Sequence, residues 1–225
     1  MFVDDFFKRE YETRVNLNLL QYDYVFPASE MKDYVQDIIR INVPELLYFV
    51  LQSEDVDIET KDIFQFSNFN DATLNICAKL NEINDPGVTW EEAGTILLGT
   101  SVQRKIGALR KYGENHLKMA SSLGLLYSVT NVFFLSGLGR VYLDLNVEQQ
   151  NELIIRLVLR TKLIGQILRD SSRGAFNLYN LLDVLSPSTY CRRRSNIKTI
   201  VGILEKYDNS LFSPIIQNIN YDICK

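Results

Sequence analysis

Three adjacent arginines, Arg192, Arg193 and Arg194, are the sharpest chemical signal in this 225-residue chain. On a helix, successive side chains are set about 100° apart, so the three guanidinium groups fan over roughly 200° and cannot all be buried. Each guanidinium offers a planar fork of N–H donors that matches phosphate oxygens and the guanine edge. Lys198 extends the patch along the same predicted helix. A second set, Arg104, Lys105, Arg110, Lys111 and Lys118, falls on a long predicted helix upstream. For both sets the competing reading is an ordinary solvated helix surface.

Other chemistry is thinner. Glu59-Thr60-Lys61 has the Glu-x-Lys form of half a metal-dependent nuclease motif, with Asp33 and Asp37 upstream as partner carboxylates. Such a site needs acidic ligands for Mg²⁺ and a lysine near the attacking water. Both aspartates fall in a predicted helix, however, and a solvated acidic loop is the simpler reading. His116 is the single histidine, so there is no two-histidine metal site. It is expected to pack or lie at the surface, with DNA contact or a general-base role as alternatives. Cys77, Cys191 and Cys224 are odd in number and widely spaced, which indicates neither a disulfide framework nor a zinc site. They fit a reduced, cytoplasmic setting. No phosphate-loop, dinucleotide-binding or nucleophile-elbow motif occurs. The sequence therefore predicts no catalytic residue, no metal and no cofactor.

Apolar residues make up 46% of the chain and charged residues 23%, which excludes the disordered class and allows a real core. The N-terminal stretch is acidic and aromatic, unlike a signal peptide, and no apolar run reaches the roughly 20 residues that span a bilayer. The net charge of −4 is unevenly spread. Residues 1–70 carry six Lys and Arg against fourteen Asp and Glu, whereas residues 101–206 carry sixteen against seven. A basic region beside an acidic one is a footprint of a phosphate-binding surface. The acidic region itself would avoid phosphate, and either mask the basic surface or bind a protein partner.

Patterning divides the chain into an acidic N-terminal region (1–70), a first helical unit with a β-hairpin (71–146) and a second helical unit (147–225). In the first region, Arg14–Leu20 and Tyr22–Phe26 read as strands, and Glu30–Arg40 and Pro44–Gln52 as helices. From 71, the expected elements are a helix begun by Asp71, a break at Asn84-Asp85-Pro86-Gly87, and a helix opened by the Thr89/Glu92 capping box. A long helix from Ser101 to Leu123 follows, closed by Gly124. Two β-prone runs around Asn131 come next, and then a helix capped by Ser136. This is the order of a winged helix, in which shorter elements brace one helix that enters the major groove. Downstream, helices are expected at Val147–Leu159, Lys162–Arg169 and Ala175–Val184. A last helix, capped by Ser188 or Thr189, runs to Lys206 and ends in a turn at Asp208-Asn209. The fold class is thus mainly α with short β-hairpins: a winged-helix domain, then a second helix-turn-helix or winged-helix-like unit.

Residues 110–126, RKYGENHLKMASSLGLL, and 134–145, FLSGLGRVYLDL, resemble winged-helix proteins associated with restriction endonucleases. The matching positions are Leu123, Gly124, Leu125, Ser136, Leu138, Gly139 and Arg140. Residues 185–204 resemble a recognition helix of the same setting through Leu185, Ser186, Thr189, Arg192 and Arg193, without the Trp often found near its end. The resemblance covers about residues 71–206. It implies binding of double-stranded DNA in a restriction or anti-phage system, and carries no nuclease chemistry with it. Two alternatives stay open: a restriction endonuclease with a divergent metal site in residues 1–70, and a protein-interaction scaffold.

Overall fold

The computed structural model of the chain describes residues 28–84, 87–99 and 105–223. The two strands expected before residue 27, the Ser101 helix start and Arg104 lie outside the described residues.

The described chain is mainly helical. Helix α1 (Ala28–Arg40) is followed by α2 (Val43–Gln52), where Asn42 accepts a hydrogen bond from the Glu45 N–H and Pro44 occupies the first turn. A loop with one 3₁₀ turn (Thr60–Asp62) leads to a π-helical turn, Asp71–Asn75, that runs into α3 (Ile76–Glu82). Asp71 does not cap this helix as expected. Its carboxylate is occupied by the Tyr112 hydroxyl at 2.6 Å and the Asn75 amide at 2.6 Å.

The Thr89/Glu92 capping box opens α4 (Trp90–Leu98) as predicted, with both reciprocal bonds made. Helix α5 (Ile106–Ser122) ends at Leu123, and Gly124 follows at φ +77°, a left-handed value that suits glycine. The two helices cross with their backbones almost touching. A Cβ on Gly113 would collide with the Trp90 carbonyl, and one on Gly94 with the Leu109 carbonyl.

Strands β1 (Leu126–Val129) and β2 (Val132–Leu135) form the expected hairpin, paired Leu126 to Leu135 and Val129 to Val132. Thr130 and Asn131 both take positive φ, the signature of a two-residue I′ turn. Val88 adds a bridge to Phe133, so the segment before α4 joins the hairpin as a third, one-residue edge. The Ser136 hydroxyl accepts from the Gly139 N–H at the start of α6 (Gly137–Asp144) and donates back to the Gly124 and Leu125 carbonyls. A Cβ on Gly139 would meet the Leu125 carbonyl. Gly124, Leu125, Ser136 and Gly139 thus form a lock between hairpin and helix.

Helices α7 (Val147–Leu159) and α8 (Lys162–Ser172) follow. The helix expected over Ala175–Val184 is instead a two-residue strand, β3 (Phe176–Asn177), and a single turn, α9 (Leu178–Leu181). The Asn177 side chain caps that turn, and the Phe176 N–H is drawn to the Asn218 carbonyl, which breaks helical pairing. Helix α10 (Pro187–Tyr207) begins one residue after Ser186, earlier than expected, because Pro187 at the first position supplies a preset φ. Asp208 does not end the helical region either. Its carboxylate caps α11 (Asn209–Ile216), and strand β4 (Ile219–Asn220) then pairs in parallel with β3.

One hydrophobic core runs through all of these elements. Helix α1 packs on α6 and α7, α2 on α7 and α8, and α11 on α8 and α10. Val35, Ile38 and Leu46 from the acidic N-terminal region are fully buried in it, alongside Leu153, Leu163 and Ile200. No helix among the described residues is long and apolar enough to cross a membrane.

Candidate nucleic-acid interface

The first turn of α5 is exposed, and its second half is sunk in the core. Lys105, Ile106, Gly107, Ala108, Arg110 and Lys111 are exposed, whereas residues 115–117 are buried. Lys105 is the residue at which the helix begins, and its side chain makes no cap. The only tryptophan, Trp90, lies under two of the predicted cations. The Arg110 guanidinium sits 5.2 Å and the Lys118 ammonium 5.3 Å from its ring centre, both within cation–π range. Lys118 and Lys111 also reach the same carboxylate, Glu114, at 2.7 and 3.0 Å. Burial pushes the Glu114 carboxyl up, but hydrogen bonds from the two lysines outweigh it and hold the group below its usual range.

The arginine triplet divides. Arg192 is exposed and, among the described residues, makes no hydrogen bond or ion pair. Arg193 is half-buried, and burial lowers its pKa, with the neighbouring Arg192 adding to the effect and Glu114 of α5 opposing it. Glu114 thus lies within electrostatic range of Arg193, without an ion pair between them. Arg194 points elsewhere. It donates to the Tyr221 carbonyl at 3.1 Å and lies over the Tyr190 ring. Lys198 sits 4.5 Å from the centre of the Tyr221 ring. These two cations hold the C-terminal segment, to which the Tyr190 hydroxyl also donates at 2.7 Å. The triplet lies about the second turn of α10, near the helix start.

The elements that set α5 beside α10 were not singled out in the sequence. Residues 65–70, of which Ser67–Asn70 read in the sequence as a polar boundary, form a shim between the two helices. From one side, buried His116 of α5 accepts from the Ser67 and Asn68 N–H groups through Nε2, at 3.3 and 3.4 Å. Its Nδ1 donates to the Tyr112 carbonyl at 2.7 Å. From the other side, buried Asn196 of α10 donates to the Phe66 carbonyl at 2.6 Å. Both signals were visible as residue types but not as partners, because the pairs lie 48 and 130 residues apart.

The remaining candidates lie apart from this surface. Glu59 and Lys61 pair with each other at 2.9 Å in the 3₁₀ loop, and Asp33 and Asp37 are exposed on α1. No cluster of three or more His, Cys, Asp or Glu side chains suited to a metal exists among the described residues. Cys77 is buried and Cys191 is exposed.

Compared with known proteins, the chain matches no family model, no curated protein and no solved structure.

Proposed function

We propose that this chain binds double-stranded DNA through one surface shared by α5 and α10. The observation that carries the reading is the shared segment 66–68, bonded by His116 of α5 and by Asn196 of α10, which ties together the two helices that carry Lys111, Lys118, Arg192 and Arg193. Lys105 and Arg110 extend that surface toward the free end of α5. Cations gathered on one face bind duplex DNA by neutralising phosphates and releasing counterions. The order of elements supports a winged-helix reading of residues 71–146, with α5 as the groove-entering helix and β1–β2 as the wing. The exposed, small first turn of α5, with Ile106, Gly107 and Ala108, suits close approach to base edges and thymine methyl groups. The sequence resemblance extends the proposal to a recognition or accessory module of a restriction or phage-defence system.

The test is a salt titration of duplex binding. The parent should lose affinity steeply with salt, and the Arg192→Ala/Arg193→Ala double variant should lower the log–log slope by about 0.9 for each phosphate contact removed. Equal binding by parent and variant at matched salt would overturn the reading. So would a partner interaction indifferent to salt, which points to a protein scaffold instead. Divalent-metal-dependent cleavage of the duplex would move the endonuclease reading ahead.

A further inference from the structure

Beside the basic surface, between the 65–70 shim and α10, lies a cleft of about 410 Å³ lined by Gln65, Phe66, Phe69, Arg192, Ser195 and Thr199, among others. Its size falls within the roughly 300–1,000 Å³ typical of small-ligand sites. We infer that this cleft receives one unpaired nucleotide of a bound DNA, its base against Phe69 and its phosphate on Arg192. The inference rests on the DNA-binding reading above and goes beyond it by assigning a site for a displaced base.

The lining carries the argument. Phe66 is buried and meets Phe69 edge-on, with ring centres 5.5 Å apart, and the half-buried Phe69 ring is part of the cleft lining. Aromatic rings held in this way are the usual platform for an unstacked base. The polar rim offers donors and acceptors together. The Gln65 amide makes no hydrogen bond to any described residue, and the Ser67 and Ser195 hydroxyls make none as donors. The Asn196 amide nitrogen is committed to the Phe66 carbonyl, which leaves its oxygen as an acceptor. A site for phosphate alone needs only donors, whereas a base edge presents both donors and acceptors. Arg192 contributes the cation at the rim, and it belongs at once to the cleft and to the duplex-facing surface. A strand held by Arg192 therefore passes the mouth of the cleft.

The cleft can be closed without disturbing the core, because Ser195 and Thr199 are exposed positions on α10. Ser195→Phe fills it, and the bond from the Thr199 hydroxyl goes to the Ser195 backbone carbonyl, which the substitution leaves intact. Thr199→Phe is a second, independent filling variant. Binding is measured for a fully paired duplex and for the same duplex with a single bulged nucleotide, with thermal melting as the check on folding. The parent is expected to prefer the bulged duplex by about tenfold, the scale of one base–aromatic stack. At least one folded filling variant should lose that preference and keep the parent's affinity for the paired duplex. Equal binding of bulged and paired duplex by the parent overturns the inference and leaves the duplex-binding proposal standing. A preference that survives in both filling variants also overturns it. If the parent binds neither DNA, the duplex-binding proposal fails first and the cleft assignment fails with it.

Discussion

The cations of α7 and α8 and those of α5 and α10 come from the same basic stretch of sequence, yet they face opposite ways. Arg156 of α7 is buried and donates through Nε and Nη2 to the Ile41 carbonyl, just past the end of α1, at 2.9 and 2.7 Å. Its remaining nitrogen pairs with Glu152, whose carboxylate also receives the Tyr207 hydroxyl of α10. Arg169 of α8 is buried too and donates to the Val50 carbonyl in the last turn of α2. Lys162 and Arg173 pair with Asp62 and Asp55 in the loop that follows α2. Four cations of the basic region thus hold the acidic N-terminal region, two of them by satisfying carbonyls at helix ends that would otherwise lack partners. Arg110, Lys111 and Lys118 of α5 gather instead around Trp90 and Glu114, and Arg192 of α10 lines the cleft. Net charge by segment therefore measures two quantities at once: the glue between regions and the field at the surface.

The largest effect is expected where the inward set is broken. Arg156→Ala strips the Ile41 carbonyl of its donor and leaves the Glu152 carboxylate without its cation. Removing one member of a buried charged network costs about 3–5 kcal/mol. For a chain of this size that corresponds to a fall in Tm of roughly 6–20 °C. The salt slope of DNA binding should stay at the parent's value. Denaturant unfolding and a salt titration on the same variant check both halves. A variant as stable as the parent would place Arg156 with the outward set.

The arginine triplet sharpens the same contrast within three consecutive residues of α10. Arg194→Ala removes a charge-assisted bond to the Tyr221 carbonyl and should cost about 1–3 kcal/mol in stability, with little change in salt slope. Arg193→Ala should do the reverse, leaving Tm near the parent's and lowering the slope by about 0.9. If both substitutions lower the slope equally, the C-terminal segment does not sequester Arg194 in solution.

Glu114 marks the boundary between the two behaviours, being a carboxylate held among outward cations. Glu114→Gln keeps the shape and removes the charge. Duplex affinity at low salt is expected to rise by about threefold, since a like charge near phosphate is worth no more than about 1 kcal/mol in a water-like dielectric. A fall in affinity would mean that Glu114 acts by positioning Lys111 and Lys118, rather than by opposing the phosphate.

The sequence was most legible where structure is local. The Thr89/Glu92 box, the Gly124 stop, the turn at Asn131 and the Ser136 cap depend on residues close in sequence, and each appears as expected, with Thr130 joining Asn131 in the turn. Helix starts shifted where an unseen partner competed for the capping side chain, as Tyr112 does for Asp71. The helix expected over Ala175–Val184 failed because its partner strand, Ile219–Asn220, lies more than forty residues downstream. The basic residues were found by type, but their division into inward and outward sets depends on carbonyls and carboxylates in a region about a hundred residues away. The cleft and its shim were illegible for the same reason.

The smallest effect concerns the shim, through the chain's single imidazole. The Ser67 and Asn68 N–H groups both point at Nε2, and the Tyr112 carbonyl accepts from Nδ1, so only the neutral tautomer with its proton on Nδ1 satisfies all three partners. Burial lowers the pKa of His116 from its ordinary 6.5, while the Tyr112 carbonyl and the Asp71 carboxylate oppose that shift. Above about pH 6.5 the imidazole is neutral in both folded and unfolded chains, and it leaves stability unaffected by pH. As the pH falls below that value, the unfolded chain takes up the proton first, and stability is lost until the folded-state pKa is passed. His116→Gln removes the titration, so the loss of stability between pH 7.5 and pH 5.5 should be smaller in the variant than in the parent. The imidazole resonances of the folded parent, unambiguous in a chain with one histidine, should titrate with a midpoint below 6.5. A midpoint at or above 6.5 would show that Nε2 does not accept the two shim N–H groups, and that α5 and α10 are held together chiefly from the Asn196 side.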